Sequence, residues 1–265
     1  MIMKEKILSL LPADFCWHDR LHYFSTIDST NKHAKKLAAE GAPHGTVILA
    51  DHQTDGRGRL GRSFYSPADS GLYLSVILRP ECKPTELMHL TCAAAVAVCD
   101  GIQAATGVCP GIKWTNDLVT GNRKVAGILT ELSISQGDGT VAYAIIGIGI
   151  NCCEQLSDFP AELSGIAGSL AMASGSPVSR ELVAARVIEA IAQMDLAQKA
   201  QIMTRYRCNC ITIDRDVSLI RKDEVIHAHA LNVDDNGALL VRYADGTEEA
   251  INSGEVSVRG MYGYL

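Results

Sequence analysis

Gln53-Thr54-Asp55-Gly56-Arg57-Gly58-Arg59-Leu60-Gly61-Arg62-Ser63-Phe64-Tyr65-Ser66-Pro67 is the stretch from which the rest of the chain is read. Three glycines alternate with three arginines. Glycine lets backbone approach a ligand closely, and arginine offers a planar donor fork that fits phosphate and carboxylate oxygens. Three arginines against Asp55 leave the stretch at +2, inside a chain whose net charge is −6. Two readings are open on these residues alone. One is a lid that closes over a small anion; the other is a solvated basic turn.

The bulk properties narrow the class. With 265 residues, 47% hydrophobic and 20% charged, the chain is long and apolar enough for one substantial core plus a small second domain. An acidic balance, with pI ≈ 5.7, argues against a surface that coats nucleic acid. No uninterrupted apolar run reaches the roughly 20 residues of a membrane span, and the N-terminal apolar segment, which contains Glu5, is too short for a secretory signal. Nine cysteines, odd in number and scattered through apolar segments, read as thiols of a reducing compartment, so the expected location is cytoplasmic.

Working outward from the glycine–arginine run, Thr46–Ala50 before it and Gly71–Leu78 after it are apolar runs expected to be strands. Upstream, residues 3–11 suit a short helix and His22–Ile27 a strand. Ser29-Thr30-Asn31 supplies cap chemistry for a helix through Glu40. Downstream, Pro84 is expected to open a long helix ending at Gly107. Strands follow at Ile112–Trp114, Lys124–Leu132 and Val141–Ile150, with turn signals at Gly121-Asn122 and Gly137-Asp138-Gly139. Residues 154–176 show little pattern. Ser179 is expected to cap one helix from Arg180 to about Tyr206. Beyond Asn209, short strands at 211–220, 224–233, 238–243 and 247–252 suggest a small β-barrel, so the domain boundary is expected near 210: residues 1–209, then 210–265.

Several motifs are excluded. Gly147-Ile148-Gly149-Ile150-Asn151-Cys152 lacks the third glycine and the following helix of a dinucleotide fingerprint. No P-loop and no G-x-S-x-G elbow occurs. The eight histidines and Cys208-Asn209-Cys210 lack metal-ligand spacing, so no side-chain metal site is expected. What remains is Lys113-Trp114-Thr115-Asn116-Asp117, which gathers cation, flat ring, amide and carboxylate, and Lys124 at the head of an apolar strand.

Taken in order, Ser29-Thr30-Asn31, Gln53–Arg62, Lys113–Asp117, Lys124-Val125-Ala126-Gly127-Ile128-Leu129-Thr130-Glu131 and Gly147–Asn151 resemble the biotin protein ligases over residues 20–260. Phe64 stands where the family usually has tryptophan, and Thr115 where it has proline. The resemblance implies an α+β fold: a mixed, mainly antiparallel sheet packed with helices, like class II synthetase and lipoate ligase catalytic domains, plus a C-terminal SH3-like barrel. It implies a short form without a DNA-binding domain, hence no DNA and no membrane partner, and the possibility of a homodimer. The implied reaction forms biotinyl-adenylate from biotin and Mg-ATP, then passes biotin to a lysine of a carboxylase carrier domain.

The implied roles are these. Lys124, Arg59 and Asp117 are catalytic, Asp117 as the group that orients or accepts from the acceptor lysine. Ser29, Thr30, Asn31, Gln53, Arg57, Gly58, Arg59 and Lys124 hold biotin. Arg57, Arg59, Arg62, Trp114, Asn116 and Asn151 hold ATP or the adenylate, with Trp114 stacking. A mixed anhydride hydrolyses if water reaches it, so the glycine–arginine run is expected to close over it. The rivals are a lipoate-type ligase and, from another class, a non-enzymatic phosphate- or DNA-binding sensor.

Overall fold

A computed structural model describes residues 2–221, 224–252 and 255–258. Helices α1 (Lys4–Leu10), α2 (Thr30–Ala39), α3 (Leu90–Thr106), α4 (Leu170–Ser174), α5 (Arg180–Ala192) and α6 (Lys199–Asn209) surround a seven-stranded sheet. Its strands are β1 (Leu21–Phe24), β2 (Thr46–Ala50), β3 (Gly71–Leu78), β4 (Gly111–Lys113), β5 (Asp117–Thr120), β6 (Arg123–Ile134) and β7 (Val141–Asn151). The order is β1-β2-β3-β7-β6-β5-β4; only β1 and β2 run parallel, so the sheet is mixed and mainly antiparallel.

Strand side chains alternate between faces, and here the two faces do different work. Val47, Leu49, Leu72, Leu74, Val76, Ile146, Ile148 and Ile150 join the main core with α3 and α5. Ile48, Ile77 and Ile145 point the other way and meet Ala34 and Ala38 of α2. Fully burying each such aliphatic side chain contributes about 1.5–3 kcal/mol. On the α2 face the register sets Tyr73 beside Gly149 and Gly149 beside Gly127, and in the next row Ser75 beside Gly147 and Gly147 beside Leu129. The middle of that face therefore has almost no side chains. This bare patch positions the site.

Three expectations about this sheet and its helices need correction. The segment opened by Pro84 is a separate 3-10 turn, Pro84–Leu87, whose Glu86 carboxylate accepts from Lys83 N; α3 itself starts at Leu90. By length and composition Pro84–Thr106 passes for a membrane span, yet 72% of that window is buried in the protein, as expected of a core helix. The helix expected over 180–206 is two helices. Between them the Asp195 carboxylate accepts from Ala197 N at 3.1 Å and from the Gln198 side chain at 2.9 Å, a local turn that competes with helix continuation. A four-residue strand, β5, was not anticipated. It pairs with β6 across Gly121-Asn122, both at positive φ as a two-residue hairpin turn requires.

The C-terminal segment forms β8 (Arg215–Arg221), β9 (Glu224–Val233), β10 (Leu239–Arg242), β11 (Glu248–Ile251) and β12 (Glu255–Val258) in an antiparallel sheet ordered β11-β10-β9-β8-β12. Residues 211–214 are turn rather than strand. A closed barrel was expected; the described residues form a ladder with β11 and β12 as its outer strands. The C-terminal sheet is tied to the first by Trp114, whose N donates to Thr212 Oγ1 and whose Nε1 donates to Gly237 O at 2.8 Å.

Candidate active site

One pocket gathers most of the residues selected from sequence: Ser29, Thr30, Asn31, Gln53, Arg57, Gly58, Arg59, Asn116 and Lys124 line it, together with Phe64. Its floor is the bare patch. A Cβ on Gly147 would fall 2.0 Å from Asn31 Oδ1, and one on Gly149 would fall 2.5 Å from the Phe64 ring. Glycine at these positions lets the polar wall and the aromatic ring lie flat on the sheet.

The polar wall comes from the N-terminus of α2. Ser29 occupies the cap position, but its hydroxyl does not cap the helix. Thr30 N donates to Gln53 Oε1 at 2.8 Å, and Gln53 Nε2 donates to Ser66 Oγ at 3.1 Å. Ser75, the one serine in the apolar run of β3, lies 2.8 Å from Thr30 Oγ1 and donates to Asn31 Oδ1 at 2.6 Å.

Lys124 reaches the floor through a β-bulge. The β5–β6 register shifts there, with Leu118 opposite Ala126 but Val119 opposite Lys124. The extra residue, Val125, turns Lys124 onto the same face as Gly127, where its Nζ lies 3.2 Å from the place a Gly127 Cβ would take. Asp117, opposite Gly127, meets it there: Lys124 Nζ to Asp117 Oδ1 is 2.7 Å, with both side chains partly exposed. The ammonium also stands 5.9 Å from the Phe64 ring centroid.

The glycine–arginine run is a closed turn. Gly58 N donates to Arg62 O at 2.7 Å and Phe64 N donates to Gly56 O at 2.9 Å. Leu60 and Gly61 at its tip both adopt positive φ, and Leu60 is 70% exposed. Arg59 points inward: Nη1 donates to Asn116 Oδ1 at 2.9 Å and to Thr115 Oγ1 at 3.3 Å. Asn116 in turn donates to Asp117 Oδ1 and Ile128 O. Arg57 is exposed and lines the pocket mouth.

Four expected site residues do not line this pocket, Asp117 reaching it only through its contact with Lys124. Trp114 is 4% exposed and committed to the junction with the C-terminal sheet, so it has no open face for stacking; the reason is the pair of bonds to Thr212 and Gly237. Arg62 is exposed beyond the turn. Asn151 is buried next door, with Nδ2 donating to Lys124 O and Gly168 O, which leaves its amide oxygen for another donor. Sequence reasoning missed Ser75, Glu131 and the 163–168 segment. That segment flanks Lys124 on both sides of its backbone: Lys124 N donates to Ile166 O, and Gly168 N donates to Lys124 O. Ser75 had a signal, being polar within a strand buried throughout. Residues 163–168 had none.

Comparison with known proteins bears on this arrangement. Residues 23–151 match the biotin/lipoate A/B protein ligase family and residues 212–259 match the biotin protein ligase C-terminal domain. A bifunctional ligase/repressor BirA from Bacillus spizizenii is 38% identical over 237 residues, covering 86% of this chain and 71% of its own. The chain belongs to the biotin/lipoate A/B protein ligase family. A biotin–[acetyl-CoA-carboxylase] ligase from Paracoccus denitrificans is 32% identical, covering 88% of this chain and 98% of its own. Among solved structures, a biotin protein ligase from Aquifex aeolicus in complex with biotin and ATP superposes with a TM-score of 0.74 at 27% identity, covering 91% of this chain and 98% of that one. Within the family, then, the pocket over the glycine floor is this chain's candidate catalytic centre.

Proposed function

We propose that this chain is an ATP-dependent biotin protein ligase that forms biotinyl-5'-AMP and transfers biotin to a lysine of a biotin carboxyl carrier domain. One observation carries the reading: a flat apolar floor, a hydroxyl–amide wall and a Lys124–Arg59 cation pair meet in a single pocket. That is a container for a thin bicyclic ligand with a polar head and a carboxylate tail.

In the first step the biotin carboxylate attacks the α-phosphorus of ATP, and the bond to the leaving pyrophosphate breaks. Two anions approach, so fixed cations do most of the catalytic work. In this reading Lys124 receives the carboxylate and α-phosphate oxygens, supported by its place in the pocket beside Asp117, and Arg59, held by Asn116, lines the same pocket. Arg57 adds charge at the mouth. The Asn151 amide oxygen accepts from the adenine amino group. Mg2+ would enter with the ATP phosphates and help to neutralise their charge.

In the second step a carrier lysine amine attacks the acyl carbon and AMP leaves. Asp117, released from Lys124 as that ammonium turns to the substrate, orients the amine and takes its proton. The partner docks along β6, whose residues 129–134 pair only with β7 among the described residues and expose Leu132 and Ile134. That edge also suits a second copy of the chain. All nine cysteines are free, in keeping with a cytoplasmic enzyme. Incubation with biotin, Mg-ATP and a carrier domain, followed by intact mass, tests the proposal: a single biotinyl addition to the carrier is expected, and an unshifted carrier refutes it.

A further inference from the structure

Behind the wall of the pocket, Asn31 Nδ2 donates to Glu131 Oε2 at 2.9 Å, and the other oxygen of Glu131 pairs with Lys35 Nζ at 2.5 Å. Asn31 is 5% exposed and Ser75 is fully buried, whereas Glu131 and Lys35 reach the surface. Carboxylate oxygens only accept hydrogen bonds, and an amide has one donor end and one acceptor end. The Glu131 carboxylate, paired with Lys35, therefore admits one orientation of the Asn31 amide: nitrogen toward Glu131, oxygen toward Ser75. Ser75 must then give its only proton to Asn31 Oδ1. Thr30 Oγ1 lies 2.8 Å from Ser75 Oγ and 3.1 Å from Gln53 Oε1, two acceptors for its one proton. With the Ser75 proton spent on Asn31, two bare oxygens would face each other at the shorter distance unless Thr30 gives its proton to Ser75 rather than to Gln53.

We infer that Glu131 is a positioning residue that sets the direction of every proton in the row Thr30–Ser75–Asn31–Glu131. All of them point toward Glu131, so the Thr30 hydroxyl turns its lone pairs to the pocket as an acceptor. Gln53 Oε1 accepts from Thr30 N, and with the Thr30 hydroxyl proton drawn to Ser75 it keeps its other lone pair as a second acceptor for the ligand. The wall is thereby set to receive N–H donors, the chemistry of one edge of a cyclic urea. This deepens the biotin reading and rests on it. A row with free proton order could satisfy a ligand acceptor at the same place, and discrimination would fall; buried groups left unpaired are what make such discrimination steep.

The test is biotin binding by calorimetry, without ATP, to the wild type and three variants, with ATP binding and thermal melting recorded alongside. Glu131→Gln keeps the shape but can donate as well as accept, so the Asn31 amide can turn over. It is expected to weaken biotin binding at least 10-fold while ATP affinity and melting temperature stay close to wild type. Asn31→Asp combined with Glu131→Gln restores an acceptor for Ser75 and is expected to recover part of the loss. Lys35→Met, which removes the ion pair but not the carboxylate, is expected to change binding less than 3-fold. Equal biotin binding by wild type and Glu131→Gln overturns the inference and leaves the ligase reading standing. A loss in Glu131→Gln matched by a comparable loss of ATP binding or a collapsed melt overturns it in favour of a merely structural role. A well-folded wild type that does not bind biotin overturns the ligase reading itself.

Discussion

The floor of the pocket and the turn above it present two opposite solutions to holding a ligand. The floor is built from β3, β7 and β6, pinned by ladder hydrogen bonds on both sides, and its shape comes from what is missing at Gly127, Gly147 and Gly149. The turn at Gly56–Phe64 closes on itself through its own backbone, exposes Leu60, and presents Arg57 to solvent. Two side chains join them: Arg59, through Asn116 and Thr115, and Phe64, whose ring lies over Gly149. Shape recognition therefore resides in the sheet, which adds the one cation Lys124, while the arginines come from a turn held mainly by its own backbone bonds. The division suits a reaction in which one substrate must fit and the other must be neutralised.

The largest effect should come from the one cation that belongs to the floor. Lys124→Ala removes the ammonium on which we propose that carboxylate and phosphate oxygens converge; adenylate formation should fall by about 10²–10³ with melting temperature nearly unchanged, as for the loss of a preorganised electrostatic donor. Single-turnover formation of biotinyl-adenylate is the measurement, and a loss below about 5-fold would move the chemistry elsewhere.

Next, paired substitutions separate floor from turn. Gly149→Val drives a side chain into the Phe64 ring, since even a Cβ there meets it at 2.5 Å. It should lower stability by about 1–3 kcal/mol and weaken biotin binding. Arg57→Ala should slow activation about 10-fold and leave stability where it was, because the residue is exposed. Chemical denaturation beside activity measurements reads both; if Arg57→Ala lost as much stability as Gly149→Val, the division between floor and turn would be wrong.

The smallest effect lies outside both regions. On the C-terminal sheet His229 is flanked by Asp216 at 3.0 Å and Asp214 at 3.2 Å, and these partners, Asp216 first, hold its pKa above the usual 6.5. A raised folded value means the stabilisation is fully present below 6.5 and fades as pH rises through the folded value. The groups are largely exposed, so the contribution should be under about 1 kcal/mol. The melting-temperature gap between wild type and His229→Gln should therefore shrink from pH 6 to pH 9; a gap that widened would reverse the sign.

The site was legible in the sequence where function demands unusual residues at short spacing. The glycine–arginine run, Lys113–Asp117 and Lys124 each stand out against ordinary composition, and the strand registers bring most of them together. Trp114 was harder to read: a tryptophan beside site residues reads equally well as a stacking surface or as a domain clamp, and here the residue is buried with its indole donating to Gly237. The same holds for 180–206, where apolar periodicity continues across a break made by one carboxylate at Asp195. Segment 163–168 was invisible because it acts through backbone groups that any residue carries. Glu131 was quoted within a motif but gained a role only when folding placed it beside Asn31, 100 residues away in sequence.

The central claim is that the pocket over the glycine floor activates biotin. Biotin-dependent exchange of labelled pyrophosphate into ATP, run in parallel with lipoate, tests it most directly. The structure leads to rapid exchange with biotin and exchange near background with lipoate. Exchange driven as well or better by lipoate would contradict it.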